Sequence, residues 1–286
     1  MNLKEIYSVS EVTKRSKPVI SFEIFPDNNP NNIYEELNKL AIYKPSLISV
    51  TYGAGGSNRI FSSKIIKHLK EIMSFNVMPH LSCICNTKND IEEQIKTIQT
   101  WKIENIMALR GDIPDDKTLC RNDFNFANEL VEFVHNKTDL SIAVAGYPEG
   151  HIESPDIHTD IENLKRKVDA GASAIFTQLF YNNSKFFEYA KAVRKAGITL
   201  PVIAGIMPIL SFKQIDKMTK LARIDIPKEL NCHLDKFKDN SEDIKAFGIE
   251  FVSRQCKELL NTGVSGLHFF TLNKAYSTSK ILENII

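Results

Sequence analysis

Eight short apolar runs, set at a nearly even pitch and separated by segments of helical periodicity, constrain this chain more than any other feature. The runs are 19–25, 46–52 (SLISVTY), 76–83 (NVMPHLSC), 105–109 (NIMAL), 140–146 (LSIAVAG), 173–179 (SAIFTQL), 201–206 (PVIAGI) and 265–270 (SGLHFF). Between them, 32–42, 59–73, 89–101, 122–135, 160–170, 184–195 and 211–222 carry apolar residues at helical spacing, and 273–284 follows the last run. The first seven runs start about one strand–helix unit apart. Eight strands, each followed by a helix, predict a (β/α)8 barrel, with a doubly wound three-layer sheet as the competing α/β arrangement. The segment 223–262 breaks the pitch between the seventh and eighth units. Its part 243–260 keeps helical spacing through Ile244, Phe247, Phe251, Val252, Cys256 and Leu259, so it reads as extra helix before strand eight. No internal repeat, low-complexity tract or Pro/Gly-rich linker divides the chain, and residues 1–286 are expected to form one barrel domain.

Charge and composition exclude several partners. The net charge is +1, which leaves no electrostatic footprint for nucleic acid or a membrane surface. The N-terminus has no apolar signal-like region and no segment reaches spanning length, so a cytoplasmic location is expected. The five cysteines are odd in number and scattered, which argues against a disulfide framework. In HLSCIC, Cys83 and Cys85 fall on one strand face and His80 on the other, so the sequence predicts apolar fillers and no metal site.

A barrel does its chemistry at the C-terminal ends of its strands. Seven of the eight candidate strands carry polar groups there: Glu23; Thr51; His80; Arg110, Gly111 and Asp112; Tyr147; Thr177 and Gln178; and His268. Strand seven offers none. Each has an ordinary reading as well, as a core histidine, a strand-end residue or an Arg110–Asp112 ion pair. Glu23 is the hardest to explain structurally, because an unpaired buried carboxylate costs several kcal/mol, about the net stability of a whole domain. In VISFEIFP, Val19, Ser21, Glu23 and Phe25 share one face, and Ile20, Phe22 and Ile24 share the other. With the larger apolar set toward the helices, Glu23 points inward near the top of the core. Desolvation there is expected to raise its pKa, which suits a general acid.

Two loops need comment. TYGAGGSNR (51–59) lies between a strand and a helix but lacks the third glycine of a dinucleotide fingerprint and the lysine of a P-loop. A tight turn accounts for Gly53, Gly55 and Gly56 equally well. In HTDIENLKRKVDAG, Thr159 and Glu162 predict a capping box, Gly171 closes the helix, and Ile161, Leu164 and Val168 form its buried stripe. Asp160, Asn163 and Lys167 fall on an adjacent stripe.

Ten segments together resemble one family, methylenetetrahydrofolate reductase. They are SFEIFP (21–26), SVTYGAGGS (49–57), PHLSC (79–83), ALRGDIP (108–114), VAGYPEGH (144–151), NLKRKVDAGA (163–172), TQLFY (177–181), GIMPI (205–209), SFKQ (211–214) and HFFTLN (268–273). They occur in family order over nearly the whole chain. The resemblance implies a barrel that binds FAD tightly and takes electrons from NADH or NADPH. The implied reaction is a ping-pong reduction of 5,10-methylenetetrahydrofolate to 5-methyltetrahydrofolate through flavin N5, which supplies methyl groups for methionine synthesis. Glu23 matches the family's acid and Asp112 the residue beside flavin and pterin. Positions matching the FAD contacts are Thr51, His80, Arg110, Gly111, Asp112, Ala127, Ala145, Tyr147, His151, Asp160, Asn163, Arg166 and Lys167. Those matching substrate contacts are Glu23, Asp112, Gln178, Gln214 and Lys274. Three positions depart from the family pattern: Phe126 stands where tyrosine is frequent, Met218 where an aromatic is frequent, and Lys274 where arginine is common. The resemblance also implies a homodimer or homotetramer. The end of the chain after the eighth helix implies no C-terminal regulatory domain. Two other readings of the same residues are a cofactor-free hydrolase using Glu23 and Asp112 as paired carboxylates, and a non-catalytic folate- or flavin-binding protein.

Overall fold

A computed structural model describes residues 1–8, 18–27, 29–51, 59–112 and 123–286, with the side chains of 59–61 outside that description. The strands are β1 (Ile20–Ile24), β2 (Leu47–Val50), β3 (Val77–Ser82), β4 (Asn105–Leu109), β5 (Ser141–Gly146), β6 (Ala174–Leu179), β7 (Val202–Ile206) and β8 (Leu267–Phe270). They close in sequence order, all parallel, with β1 paired to both β2 and β8. The helices are α1 (Leu3–Ile6), α2 (Pro30–Ala41), α3 (Arg59–Glu71), α4 (Lys88–Thr100), α5 (Ala127–His135), α6 (Ile157–Asp169), α7 (Asn183–Lys195), α8 (Phe212–Ala222), α9 (Lys228–Phe237), α10 (Ser241–Asn261) and α11 (Ala275–Ile285). This is the predicted (β/α)8 barrel.

Strand alternation splits the core into two shells. Ile20, Phe22 and Ile24 face outward into the layer between strands and helices, with Ile48, Val50, Leu81, Ile106 and Val144. Val19, Leu47, Met78, Met107, Ala143, Ala174, Phe176 and Ile203 fill the interior. The helix α1 closes the N-terminal end of that interior, where Leu3, Ile6 and Tyr7 are buried among the inward residues. A four-residue helix holds there because Asn2 and Glu5 form a reciprocal capping box: Asn2 Oδ1 accepts from the Glu5 N–H at 3.0 Å, and Glu5 Oε2 accepts from the Asn2 N–H at 2.8 Å. Asn76 and Asn105, at the starts of β3 and β4, donate to the Met1 carbonyl at 2.9 and 3.0 Å. The floor of the barrel is thus sealed, and access is left to the opposite end.

Several local expectations change. The α6 cap is Asp156, whose Oδ1 accepts from the Thr159 N–H at 2.7 Å; Thr159 and Glu162 already lie inside the helix. Both Asp156 and Thr159 are good caps, and the earlier one gains an additional turn. Gly171 does close α6, at φ +119°. The insertion after β7 forms two helices, α9 as well as α10. Strand β3 ends at Ser82; Cys83 is buried, but Cys85 lies in the following turn at φ +56° and is disulfide-bonded, so it is not a strand filler. Cys83, Cys232 and Cys256 are free thiols. The glycine loop at 52–58, Cys120 and the end of the ALRGDIP segment lie outside the described residues. No helix among the described residues is long and apolar enough to cross a membrane.

Candidate functional site

The sequence expectation of an inward Glu23 holds. Its residue is 6% exposed, and its Oε2 lies 3.4 Å from His80 Nε2 and 3.8 Å from His268 Nε2. His268 is itself fixed: Nδ1 is 2.8 Å from Ser21 Oγ, Nε2 is 3.4 Å from Ser49 Oγ, and its ring meets Phe176 and Phe270 edge-on. Tyr7 donates to Ser21 Oγ at 3.3 Å, so a polar string runs from the barrel floor up to the carboxyl. The backbone of Glu23 is also held. Its carbonyl accepts from Thr271 Oγ1 at 2.7 Å, and two residues on, Asn273 pairs its side-chain amide with both the N–H and the C=O of Phe25, at 3.0 and 2.9 Å.

His80 Nε2 is buried and makes no hydrogen bond despite facing Glu23. Burial lowers the pKa of this imidazole, only partly offset by the Glu23 carboxylate, and His268 lowers it further. His80 is therefore uncharged near neutral pH and presents a polar atom without a partner at the mouth side of the interior, where a bound group is the natural partner.

A second cluster lies where β4 and β5 meet α6. Lys167 Nζ donates to the Ala145 carbonyl at 2.6 Å and sits 5.8 Å from the Tyr147 ring centre. Burial pulls this ammonium down to about 8, while Asp160 opposes the shift. Asp160 is itself buried, is raised by desolvation, and accepts from Ser154 Oγ at 3.3 Å. Tyr147 packs edge-on against His151 with ring centres 4.7 Å apart. Burial pushes the Tyr147 phenol up to about 12 and lowers His151. Arg110 forms a two-point pair with Glu153, at 2.5 and 2.8 Å, which raises the guanidinium and lowers the carboxyl. Its partner is thus Glu153; Asp112 is exposed. On the next turn of α6, exposed Arg166 donates to Asn163 Oδ1 at 3.1 Å. The structure therefore brings Ala145, Tyr147, His151, Asp160, Lys167 and Arg110 together, with Asn163 and Arg166 alongside.

The remaining candidates are placed by their elements. Thr51 follows β2, and its N–H donates to Ile24 O at 3.1 Å. Gly111 takes φ +87°, and a Cβ there would fall 2.1 Å from Ser82 Oγ. Ala127 opens α5. Gln178 sits at the register shift between β6 and β7 and accepts from the Leu179 N–H at 2.9 Å; Thr177 Oγ1 accepts from the Gly205 N–H at 2.9 Å at the same shift. Gln214, in the first turn of α8, accepts from the Leu210 N–H at 3.1 Å, and its Nε2 is buried without a partner. The end of α8 is tied to the loop after β5, with Asp225 N–H donating to Glu149 Oε2 at 2.9 Å and Arg223 to Ile152 O at 3.3 Å. Lys274 is exposed at the start of α11, and Phe126 is exposed before α5. Sequence reasoning gave no role to Ser21, Ser49, Thr271, Asn273 or Glu153. Their partners are distant in sequence; four of them lie inside matched segments, Ser21 in SFEIFP, Ser49 in SVTYGAGGS and Thr271 and Asn273 in HFFTLN, and only Glu153 lies outside all of these.

The arrangement supplies an inward carboxyl beside two histidines, and a cationic α6 flank able to hold an anion. Among the described residues, no group of three or more His, Cys, Asp and Glu could hold a metal ion.

A family model described as methylenetetrahydrofolate reductase matches residues 8–286. The chain is 35% identical over 300 residues to methylenetetrahydrofolate reductase (NADH) 1 of Arabidopsis thaliana, covering 99% of this chain and 51% of the relative. It is 35% identical to 5,10-methylenetetrahydrofolate reductase of Buchnera aphidicola subsp. Baizongia pistaciae, covering 93% of this chain and 91% of the relative. The chain thus spans about half the length of the plant relatives it matches and nine-tenths of the bacterial one. Among solved structures, a Clostridium thermocellum protein described as binding two copies of 5-methyl-5,6,7,8-tetrahydrofolic acid matches with a TM-score of 0.63 at 14% identity, covering 96% of this chain and 97% of that one. At that identity the likeness is one of fold.

Proposed function

The chain belongs to the methylenetetrahydrofolate reductase family, and from that premise we propose that it reduces 5,10-methylenetetrahydrofolate to 5-methyltetrahydrofolate, with FAD as bound cofactor and NADH or NADPH as electron donor. The observation that carries the reading is the Glu23 carboxyl, buried at the open end of the barrel interior beside His80 and His268, with its backbone held by Thr271.

Two buried atoms without partners, His80 Nε2 and Gln214 Nε2, together with the α6 cations, suit a large polar and anionic cofactor lying across the mouth. In this reading Lys167 and Arg166 hold the diphosphate. Arg110 is already neutralised by Glu153 and contributes position more than net charge. Tyr147, His151, Asp160 and Asn163, with Thr51, Ala127, Ala145, His80, Gly111 and Asp112, line the remainder. FAD, when bound, supplies the two-electron relay that carries hydride from the nicotinamide to the folate methylene.

The chain's own part is proton handling and positioning. Glu23 delivers its proton to N10 of the imidazolidine ring, the C–N bond opens, and the resulting 5-iminium carbon accepts the hydride. His80, being uncharged, gives Glu23 no fixed counterion. Asp112 supplies negative charge beside the cationic intermediate, Gln178 hydrogen-bonds the pterin, and Gln214 and Lys274 contact substrate or nicotinamide. The product supplies methyl groups for methionine synthesis.

The test is spectroscopic. Under anaerobic conditions, flavin absorbance should be bleached by NADH or NADPH and restored by 5,10-methylenetetrahydrofolate. A colourless protein that cannot be reconstituted with FAD would overturn the proposal.

A further inference from the structure

A cleft of about 370 Å3 opens between the β6–α7 connection and the helices added after β7. Its lining includes Tyr181, Asn183, Phe251, Arg254, Gln255 and Glu258. None of these was assigned to the proposed reaction.

Three of the lining side chains are more than nine-tenths buried and still carry a polar atom without a partner: Tyr181 Oη, Asn183 Oδ1 and Gln255 Oε1. The amide orientations are fixed by their other ends. Asn183 Nδ2 donates to the Gln255 carbonyl at 3.1 Å and to Glu258 Oε2 at 2.6 Å, and Gln255 Nε2 donates to the Phe180 carbonyl at 2.8 Å. Turning either amide over would set an oxygen against an oxygen. Both carbonyl oxygens are therefore left as acceptors that nothing among the described residues satisfies, an arrangement that native interiors avoid unless a ligand or solvent completes it.

Charge gives the missing group its sign. Glu229 and Glu258 bring two carboxylates to the cleft, against the single guanidinium of Arg254, which pairs with Glu229 at 2.5 Å. Among the described residues, Glu258 is left with only the neutral amide of Asn183. Its wall is apolar: Tyr181 and Phe251 lie with ring centres 6.5 Å apart, and Pro227 adjoins them. Buried acceptors without partners on lining residues, surplus negative charge and an apolar wall are complementary to a donor-rich monocation with a short hydrocarbon tail.

We propose that this cleft binds a small organic cation of the alkylguanidinium or alkylammonium class. Its N–H groups would bond Asn183 Oδ1, Gln255 Oε1 and the Glu258 carboxylate, and its tail would lie on Tyr181 and Phe251. The proposal is independent of the folate chemistry, because the cleft uses none of the same residues.

The experiment is calorimetric titration of the purified protein with propylguanidinium and, in parallel, with N-propylurea, which has the same shape but no charge. The expected result is saturable binding of propylguanidinium and none of the urea over the same range. Glu258→Gln keeps an acceptor beside Asn183 but removes the charge; it should weaken propylguanidinium at least about tenfold. Glu258 is exposed, so this variant should fold, which an unchanged Tm would verify. NMR should place the bound cation by shifting the side-chain amide resonances of Asn183 and Gln255. Absence of saturable binding, equal binding of both probes, or undiminished binding by Glu258→Gln would each overturn the proposal.

Discussion

Replacing Lys167 with methionine removes a charge that the fold holds at a cost. Burial pulls this ammonium from 10.5 to about 8, a gap of about 2.5 units. At 1.36 kcal/mol per unit the charged form costs the folded state about 3 kcal/mol, and partial solvent access reduces this to about 2 kcal/mol. The folded pKa is the lower one, so between pH 8 and 10.5 the unfolded chain binds the extra proton, and stability rises with pH across that window. Below pH 8 the penalty is fully present and flat. In Lys167→Met this titration is absent. The variant also leaves the Ala145 carbonyl without its donor, an offset of about 1–3 kcal/mol that does not vary with pH in this range. Urea unfolding of both proteins without flavin, at pH 7 to 10.5, should show wild-type stability gaining about 2 kcal/mol on the variant, all of it above pH 8. FAD binding should respond oppositely, because a diphosphate favours the charged lysine: affinity should fall as pH rises above 8. Parallel stability curves for the two proteins through pH 8–10.5 would refute the buried, depressed lysine.

Other positions give sharp contrasts. Gly111→Ala and Gly150→Ala both force a side chain to positive φ, at about 1–3 kcal/mol for the backbone alone. Only at Gly111 does the new Cβ meet Ser82 Oγ at 2.1 Å, so thermal unfolding should show a larger Tm loss there, and equal losses would contradict the packing of the RGD turn. Ile6→Ala should cost about 2–5 kcal/mol by opening a cavity in the barrel floor. A cost below about 1 kcal/mol would mean that α1 is not the plug it is taken to be.

Much of the fold was legible because strand cores are continuous in sequence: runs such as LSIAVAG and PVIAGI are short, rich in β-branched residues and bounded by Gly or Pro, which favours buried strand over helix. The inward aim of Glu23 followed from period-two alternation in β1 alone. What escaped was set by contacts between distant residues. Nothing in MNLKEIY announces a plug, since four residues are too few for periodicity and their burial depends on a barrel 14 residues further on. The start of α6 was misplaced because SPDIHTD offers two good caps and local chemistry ranks them nearly equal. Arg110 was paired in sequence with nearby Asp112, yet its carboxylate is Glu153, 43 positions away. Ser21 and Ser49 carried no role, and His268 was a strand-end polar group without a partner, until barrel closure brought β8 against β1.

The central claim is that Glu23 serves as the proton donor to the folate and not to the nicotinamide half of the cycle. Anaerobic stopped-flow of Glu23→Gln, following flavin absorbance, separates the two. Reduction by NADH or NADPH should proceed at close to the wild-type rate. Reoxidation by 5,10-methylenetetrahydrofolate should slow by on the order of 10^2- to 10^4-fold. Reoxidation at the wild-type rate would contradict the account.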